Sequence, residues 1–218
     1  MMSRVFEIEG RKIKAARIFC VGKNYRAHIQ ELEDEAPEQP VIFMKPGSCL
    51  VSPGEKIQLP THGTCLHHEV ELVALIGRGG KNISESGARS HIAGLSLGLD
   101  LTLRDVQSAL KKKGLPWEIA KAFDQSAPLG EIVSLNNLIH LDDISFSCTV
   151  NGALRQEGNS GRMIYSIPQI IRYLSEIWEL QAGDLIYTGT PSGVGPLSSG
   201  DTITIVSEGI GKFTWDVV

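Results

Sequence analysis

Apolar and polar positions alternate weakly over residues 5–14 around a Glu9-Gly10-Arg11 turn, and predict a small leading hairpin within residues 1–17. Ala16 to Val21 reads as a short apolar strand that stops at Gly22. Asn24 to Leu32 has helical composition, and Pro40 to Lys45 reads as strand again. The stretch His67-His68-Glu69-Val70-Glu71-Leu72-Val73-Ala74-Leu75-Ile76-Gly77 has the composition and length of a strand, and a second apolar run, Gly94 to Leu99, delivers Asp100. Between them Ser84 caps a predicted helix over residues 85–91, and the pattern from Thr102 to Lys113 predicts a helix ended by Gly114. The second half is mostly strand. Phe146 to Val150 and Ala153 to Gln156 flank an Asn151-Gly152 pair that favours a type I′ turn, Asp184 to Thr188 is a strand, and residues 201–206 and 212–217 form a last hairpin. One helix, Ile167 to Ile177, sets Ile170, Ile171, Leu174 and Ile177 on one face. The pattern predicts a strand-rich α+β chain.

With 218 residues, 42% hydrophobic and 23 Gly, the chain suits one compact domain spanning 1–218. A formal charge of -4 leaves no electrostatic footprint for nucleic acid, and Lys111-Lys112-Lys113 sits at a predicted helix end, where cations suit the macrodipole. Cys20, Cys49, Cys65 and Cys148 are widely spaced with no C-x-x-C pair, so neither a zinc site nor a disulfide framework is expected, and free thiols fit the cytoplasm. No apolar leader and no run of membrane-spanning length occurs, so neither export nor a membrane span is expected. The segment Gly77 to Asn82 lacks the first glycine and the hydroxyl of a phosphate loop, and Gly189 to Gly195 runs into Pro196 and a strand instead of opening a helix. Neither is a nucleotide site.

The strand period sends Glu69 and Glu71 to the same side. Adjacent carboxylates repel unless a cation lies between them, and oxygen-only ligation suits a hard ion such as Mg²⁺ or Mn²⁺. The same spacing also occurs on solvated strand faces. Asp100 offers a third carboxylate, costly after an apolar approach unless ligated or paired, although its position also fits a helix N-cap. His28 and Glu31, three apart on a helix, could share a proton and fix the imidazole tautomer, or be a solvated surface pair. Arg104 and Gln107 share a helix face, and Lys121 lies among apolar residues, either salt-bridged or aimed at a substrate.

The strings HHEVELVALIG, GLDLTLRDVQ, KKKGLPWEIAKAFDQSAPLG, VNGALRQEG and GDLIYTGTPSGVGPL, in that order over nearly the whole chain, resemble the fumarylacetoacetate hydrolase family, closest to its short acylpyruvate hydrolase branch. The resemblance implies a mixed β-roll, a homodimer, and one Mg²⁺ or Mn²⁺ on Glu69, Glu71 and Asp100. It further implies that His28 and Glu31 activate water on a lid, that Lys121 and Gln107 belong to the active site, and that Lys45, Arg104 and the loop Gly189-Thr190-Pro191 meet the substrate. The reaction expected is hydrolytic cleavage of a C–C bond in a 3-acylpyruvate. Oxaloacetate decarboxylation, keto-enol tautomerisation, or isomerisation and decarboxylation of catechol-pathway dienoates are the alternatives at the same site. A non-enzymatic 2-oxo acid sensor would have no use for a water-activating pair.

Overall fold

A computed structural model describes residues 4–137 and 140–218, so the first three residues of the expected leading hairpin lie outside the described residues. A six-stranded mixed sheet forms the centre, in the order Val133–Ser134, Ile92–Leu99, Val70–Ile76, Leu185–Tyr187, Arg17–Gly22, Val41–Pro46. Only Leu185–Tyr187 and Arg17–Gly22 pair in parallel within it. Side chains alternate between two apolar layers, as the strand period requires: Leu72, Ala74 and Ile76 enter the larger core, and Val73 and Leu75 the smaller. Both faces are therefore covered, which explains why this strand reads as an unbroken apolar run.

The leading hairpin, Val5–Ile8 with Arg11–Lys14, closes the smaller core with Phe6, Ile8 and Ile13. On the other side lies a four-stranded antiparallel sheet in the order Ala153–Asn159, Ser145–Val150, Thr202–Ser207, Gly211–Asp216. Asn151 and Gly152 take φ of 52° and 78°, the left-handed pair that a type I′ turn demands. The Ile167–Ile177 helix packs Ile167, Ile170, Ile171 and Leu174 into the larger core and starts with a reciprocal Ser166–Gln169 capping box. Ile177, expected on that face, is exposed, because it ends the helix where the chain turns out at Trp178. The segment Glu85–His91 is a 3-10 helix, capped by Ser84 as expected. The fold is a strand-dominated α+β arrangement of mixed sheets with few helices.

The strand Leu185–Tyr187 is preceded by Asp184, which is fully buried. Its Oδ2 lies 2.6 Å from the Arg17 guanidinium and accepts the Gln181 N–H at 2.8 Å. Asp184→Ala is expected to destabilise the protein by about 3 kcal/mol, since it strands donors on both neighbours, and a urea midpoint unchanged from wild type would contradict this.

Candidate active site

The strand expected over residues 67–77 is broken where its first carboxylate sits. Leu66–His68 pairs in a small sheet with Gly195–Pro196 and Thr102–Leu103, Val70–Ile76 pairs in the central sheet, and Glu69 lies at the junction. Val70 faces Leu99 across the ladder, and the Asp100 N–H donates to the Glu69 carbonyl at 2.9 Å. These bonds place Glu69, Glu71 and Asp100 together, all buried, with one oxygen of each within 4.8 Å of the others. The N-cap reading of Asp100 does not hold: the helix is Arg104–Lys113, and its N-cap is Leu103.

Three buried or half-buried cations surround the acids. Lys121 Nζ donates to Glu69 Oε2 at 2.9 Å and to Asp100 Oδ2 at 2.6 Å. Lys45 Nζ lies 2.7 Å from Asp100 Oδ1 and donates to the Ser126 and Leu101 carbonyls at 2.6 and 3.2 Å. Arg104 donates to Glu69 Oε1 and, at 2.7 Å, to Gln107 Oε1. Glu71 has no such partner and accepts only the Gly189 N–H, at 2.8 Å, among the contacts of the described residues. Burial alone would raise Glu69, but Lys121 and Arg104 outweigh it and hold the carboxyl well below its usual range. Burial pushes Glu71 well above that range, and the charges of Asp100 and Glu69 add to the effect. Burial opposes the Lys121 charge, yet Asp100 and Glu69 raise its pKa overall.

This donor set fits a hard divalent ion. All three groups offer oxygen, Asp100 Oδ1 is buried without a hydrogen bond despite the nearby ammonium, and burial, with Asp100 and Glu69 adding to it, favours the neutral form of Glu71. A divalent ion there favours the ionised carboxylate, so it competes with a proton on Glu71. Mn²⁺ affinity is expected to rise with pH by up to about tenfold per unit below the raised Glu71 pKa, and to level off above it. Titration calorimetry in buffers of different ionisation enthalpy would read the released proton, and a pH-independent affinity would contradict it.

The second constellation comes from the Arg26–Glu31 helix. His28 Nδ1 lies 3.0 Å from Glu31 Oε2, and Glu31 Oε1 accepts the Gly193 N–H at 2.9 Å. Asn24, fully buried, anchors the base of this segment: it donates to the Thr188 and Tyr165 carbonyls at 2.7 and 3.0 Å and accepts the Tyr165 N–H at 2.7 Å. Asp34 pins the far end, 2.9 Å from Lys111 and 3.5 Å from Lys23. The segment covers a small cavity of about 40 Å³ onto which His28, Glu69, Glu71, Asp100, Arg104, Gln107, Lys121 and Thr190 open, with Leu32, Phe43 and Trp117 as apolar wall. Lys121 Nζ stands 5.0 Å above the Phe43 ring, a cation–π contact inside that wall.

The fumarylacetoacetate hydrolase C-terminal family model matches residues 17–218. The chain belongs to the fumarylacetoacetate hydrolase family. Oxaloacetate tautomerase YcgM of Escherichia coli is 45% identical over 195 residues, 89% of each chain. The mitochondrial oxaloacetate tautomerase FAHD1 of Bos taurus is 43% identical over 193 residues, covering 88% of this chain and 87% of that one. The crystal structure of fumarylpyruvate hydrolase from Pseudomonas aeruginosa, in complex with Mn²⁺ and pyruvate, superposes with a TM-score of 0.94 at 36% identity, over 100% of this chain and 97% of that one.

In this family member the expected substrate contacts divide. Arg104 and Thr190 line the cavity, whereas Lys45, Gly189 and Pro191 do not. Lys45 is buried behind Asp100, with its ammonium held by Asp100 and two carbonyls. The Gly189 N–H is taken by Glu71, and the Thr190 hydroxyl donates to the Val70 carbonyl at 2.9 Å, so neither is a free oxyanion donor. Gly189 takes φ of 100°, and a Cβ there would lie 2.6 Å from that of Asn24, so only glycine brings the loop this close. Glu31, expected to take a proton from water, stands behind His28 and outside the cavity lining. The sequence gives no role to Asn24 or Gly193; a turn-rich Gly loop signals a close approach but not its partner.

Proposed function

We propose that this chain is a divalent-metal-dependent enzyme that interconverts the keto and enol forms of oxaloacetate. The observation that carries the reading is that His28, and not Glu31, opens onto the cavity it shares with Glu69, Glu71 and Asp100. With Nδ1–H donated to Glu31, the free base of the ring is Nε2. A base next to a 2-oxo acid needs only to move a proton between carbon 3 and the 2-oxygen. Hydrolysis would in addition need a water held by Glu31, which does not line the cavity.

A Mg²⁺ or Mn²⁺ ion on Glu69, Glu71 and Asp100 would supply a Lewis acid for the carboxylate and 2-oxo group of the substrate. His28 takes the proton from carbon 3 of the keto form and passes it to the 2-oxygen to give the enol, and in the reverse direction it moves the proton from that oxygen back to carbon 3. Lys121 and Arg104 hold fixed positive charge where the enolate oxygen develops, and Gln107 orients Arg104. The covering segment keeps bulk water from the enolate. The names of the Escherichia coli and bovine relatives support this substrate.

Cleavage of a 3-acylpyruvate is the second reading, favoured by the likeness to a fumarylpyruvate hydrolase that binds pyruvate and Mn²⁺. Decarboxylation of oxaloacetate and isomerisation of catechol-pathway acids would draw on the same charge distribution. The free thiols suit a reducing compartment, and the reading places a single-domain homodimer in the cytoplasm. No helix of the described residues is long and apolar enough to cross a membrane.

The test follows ultraviolet loss of enol-oxaloacetate, and acetate release from acetylpyruvate, with Mn²⁺ and with chelator. Faster loss of the enol, abolished by chelator and with acetylpyruvate left intact, is the expected result. Cleavage of acetylpyruvate as the faster reaction would make the hydrolase reading correct, and turnover that survives metal removal would sink both.

A further inference from the structure

Gln156 does not itself line the cavity, yet it is buried to 1% exposure and uses every hydrogen-bonding position of its amide. Its Oε1 accepts the Val70 N–H at 3.0 Å and lies 2.9 Å from His68 Nδ1. Its Nε2 donates to Thr190 Oγ1 at 2.8 Å and to the Pro191 carbonyl at 2.9 Å. Thr190 Oγ1 in turn donates to the Val70 carbonyl at 2.9 Å. Val70 is the residue between Glu69 and Glu71. One amide thus grips the N–H on the Glu69 side of Val70 and, through Thr190, the carbonyl on the Glu71 side.

The reach of Gln156 has a local cause. The Ser145–Val150 and Ala153–Asn159 ladder pairs Cys148 with Gln156 and then Thr149 with Leu154, which leaves Arg155 as an extra residue. A bulge of this kind re-aims the neighbouring side chain, here into the gap between the outer sheet and the central one. Gly193 is packed against the bulge: a Cβ on it would lie 2.0 Å from the Arg155 carbonyl, and its N–H holds Glu31.

We propose that Gln156 is a positioning residue that fixes the spacing of Glu69 and Glu71 and thereby sets the affinity of the site for its metal. This rests on the reading of Glu69, Glu71 and Asp100 as metal ligands. Groups that orient ligands in this way are worth about ten- to a hundredfold in affinity. Gln156→Met keeps the length of the side chain and removes all four bonds, and Gln156→Glu keeps the acceptor for Val70 while losing the donors to Thr190 and Pro191.

The experiment measures Mn²⁺ affinity by titration calorimetry at a temperature where circular dichroism shows each protein folded, beside Ile170→Val as a control that lowers stability in the helix core. The expected result is Mn²⁺ binding weakened by about ten- to a hundredfold in Gln156→Met, less in Gln156→Glu, and unchanged in Ile170→Val despite its lower melting temperature. Wild-type affinity in Gln156→Met, or in Gln156→Glu and Ile170→Val alike if the Met variant does not fold, overturns the positioning role. Wild-type protein that takes up no Mn²⁺ overturns the metal reading and this proposal with it.

Discussion

Asp100→Asn and Glu71→Gln, two amides of unchanged shape, are expected to abolish turnover alike and to part company in stability. Each removes an anionic oxygen from the metal set, which costs several kcal/mol of transition-state stabilisation, or about a thousandfold in rate. Asp100 is also the counter-ion of Lys45 and Lys121, at 2.7 and 2.6 Å, and both ammonium groups are buried. Taking its charge away leaves Lys45 with carbonyls only, so Asp100→Asn is expected to lose about 3–5 kcal/mol of folding stability. Burial and the charges of Asp100 and Glu69 favour the neutral form of Glu71, and a glutamine oxygen can still accept the Gly189 N–H. Glu71→Gln therefore stays within about 1 kcal/mol of wild type. Urea denaturation in chelator separates the two, and equal midpoints would mean that the cations do not depend on Asp100 as the geometry states.

His28→Ala is expected to lower kcat by about 10²- to 10⁴-fold, the range for loss of a general base, with Mn²⁺ affinity unchanged. The second half of that statement distinguishes it from the ligand variants, because His28 contributes to the cavity wall and not to the carboxylate cluster. Glu31→Gln is expected to fall in the same direction by a smaller factor. Its amide could still accept from Gly193 and keep the segment in place, while the imidazole would lose the anion that fixes its tautomer. Rapid-mixing ultraviolet kinetics with saturating Mn²⁺ would measure both, and undiminished kcat in His28→Ala would remove the imidazole from the reaction.

The carboxylates were legible as candidates from their spacing and apolar setting, since an aspartate after eight mostly apolar positions has few ways to be satisfied. Their meeting is not local: Glu69 sits at the break between two sheets, and the pairing of Val70 with Leu99 brings Asp100 beside it. The neighbouring Lys121 was legible for a similar reason, as a charge in an apolar setting. What was not legible is what depends on pairing across the chain. Lys45 looks the same in sequence whether it meets substrate or a ligand; only the register that sets it opposite Ile18 turns it inward behind Asp100. Glu31 meets Gly193, 162 residues away, and Gln156 reaches Val70 because of one extra residue in a distant ladder. Ile177 failed for a simpler reason: helical periodicity marks a face but not the last turn at which that face is still covered.

The attachment of the covering helix carries one more consequence. The three carboxylates and Lys121 belong to a stretch of chain between residues 69 and 121, whereas His28 and Glu31 ride on a six-residue helix secured by Asn24 at one end and Asp34 at the other. Mutations that reshape this helix leave the central strands untouched. On the proposed function, natural variation in this helix retunes what happens to a 2-oxo acid while the carboxylate cluster is inherited intact.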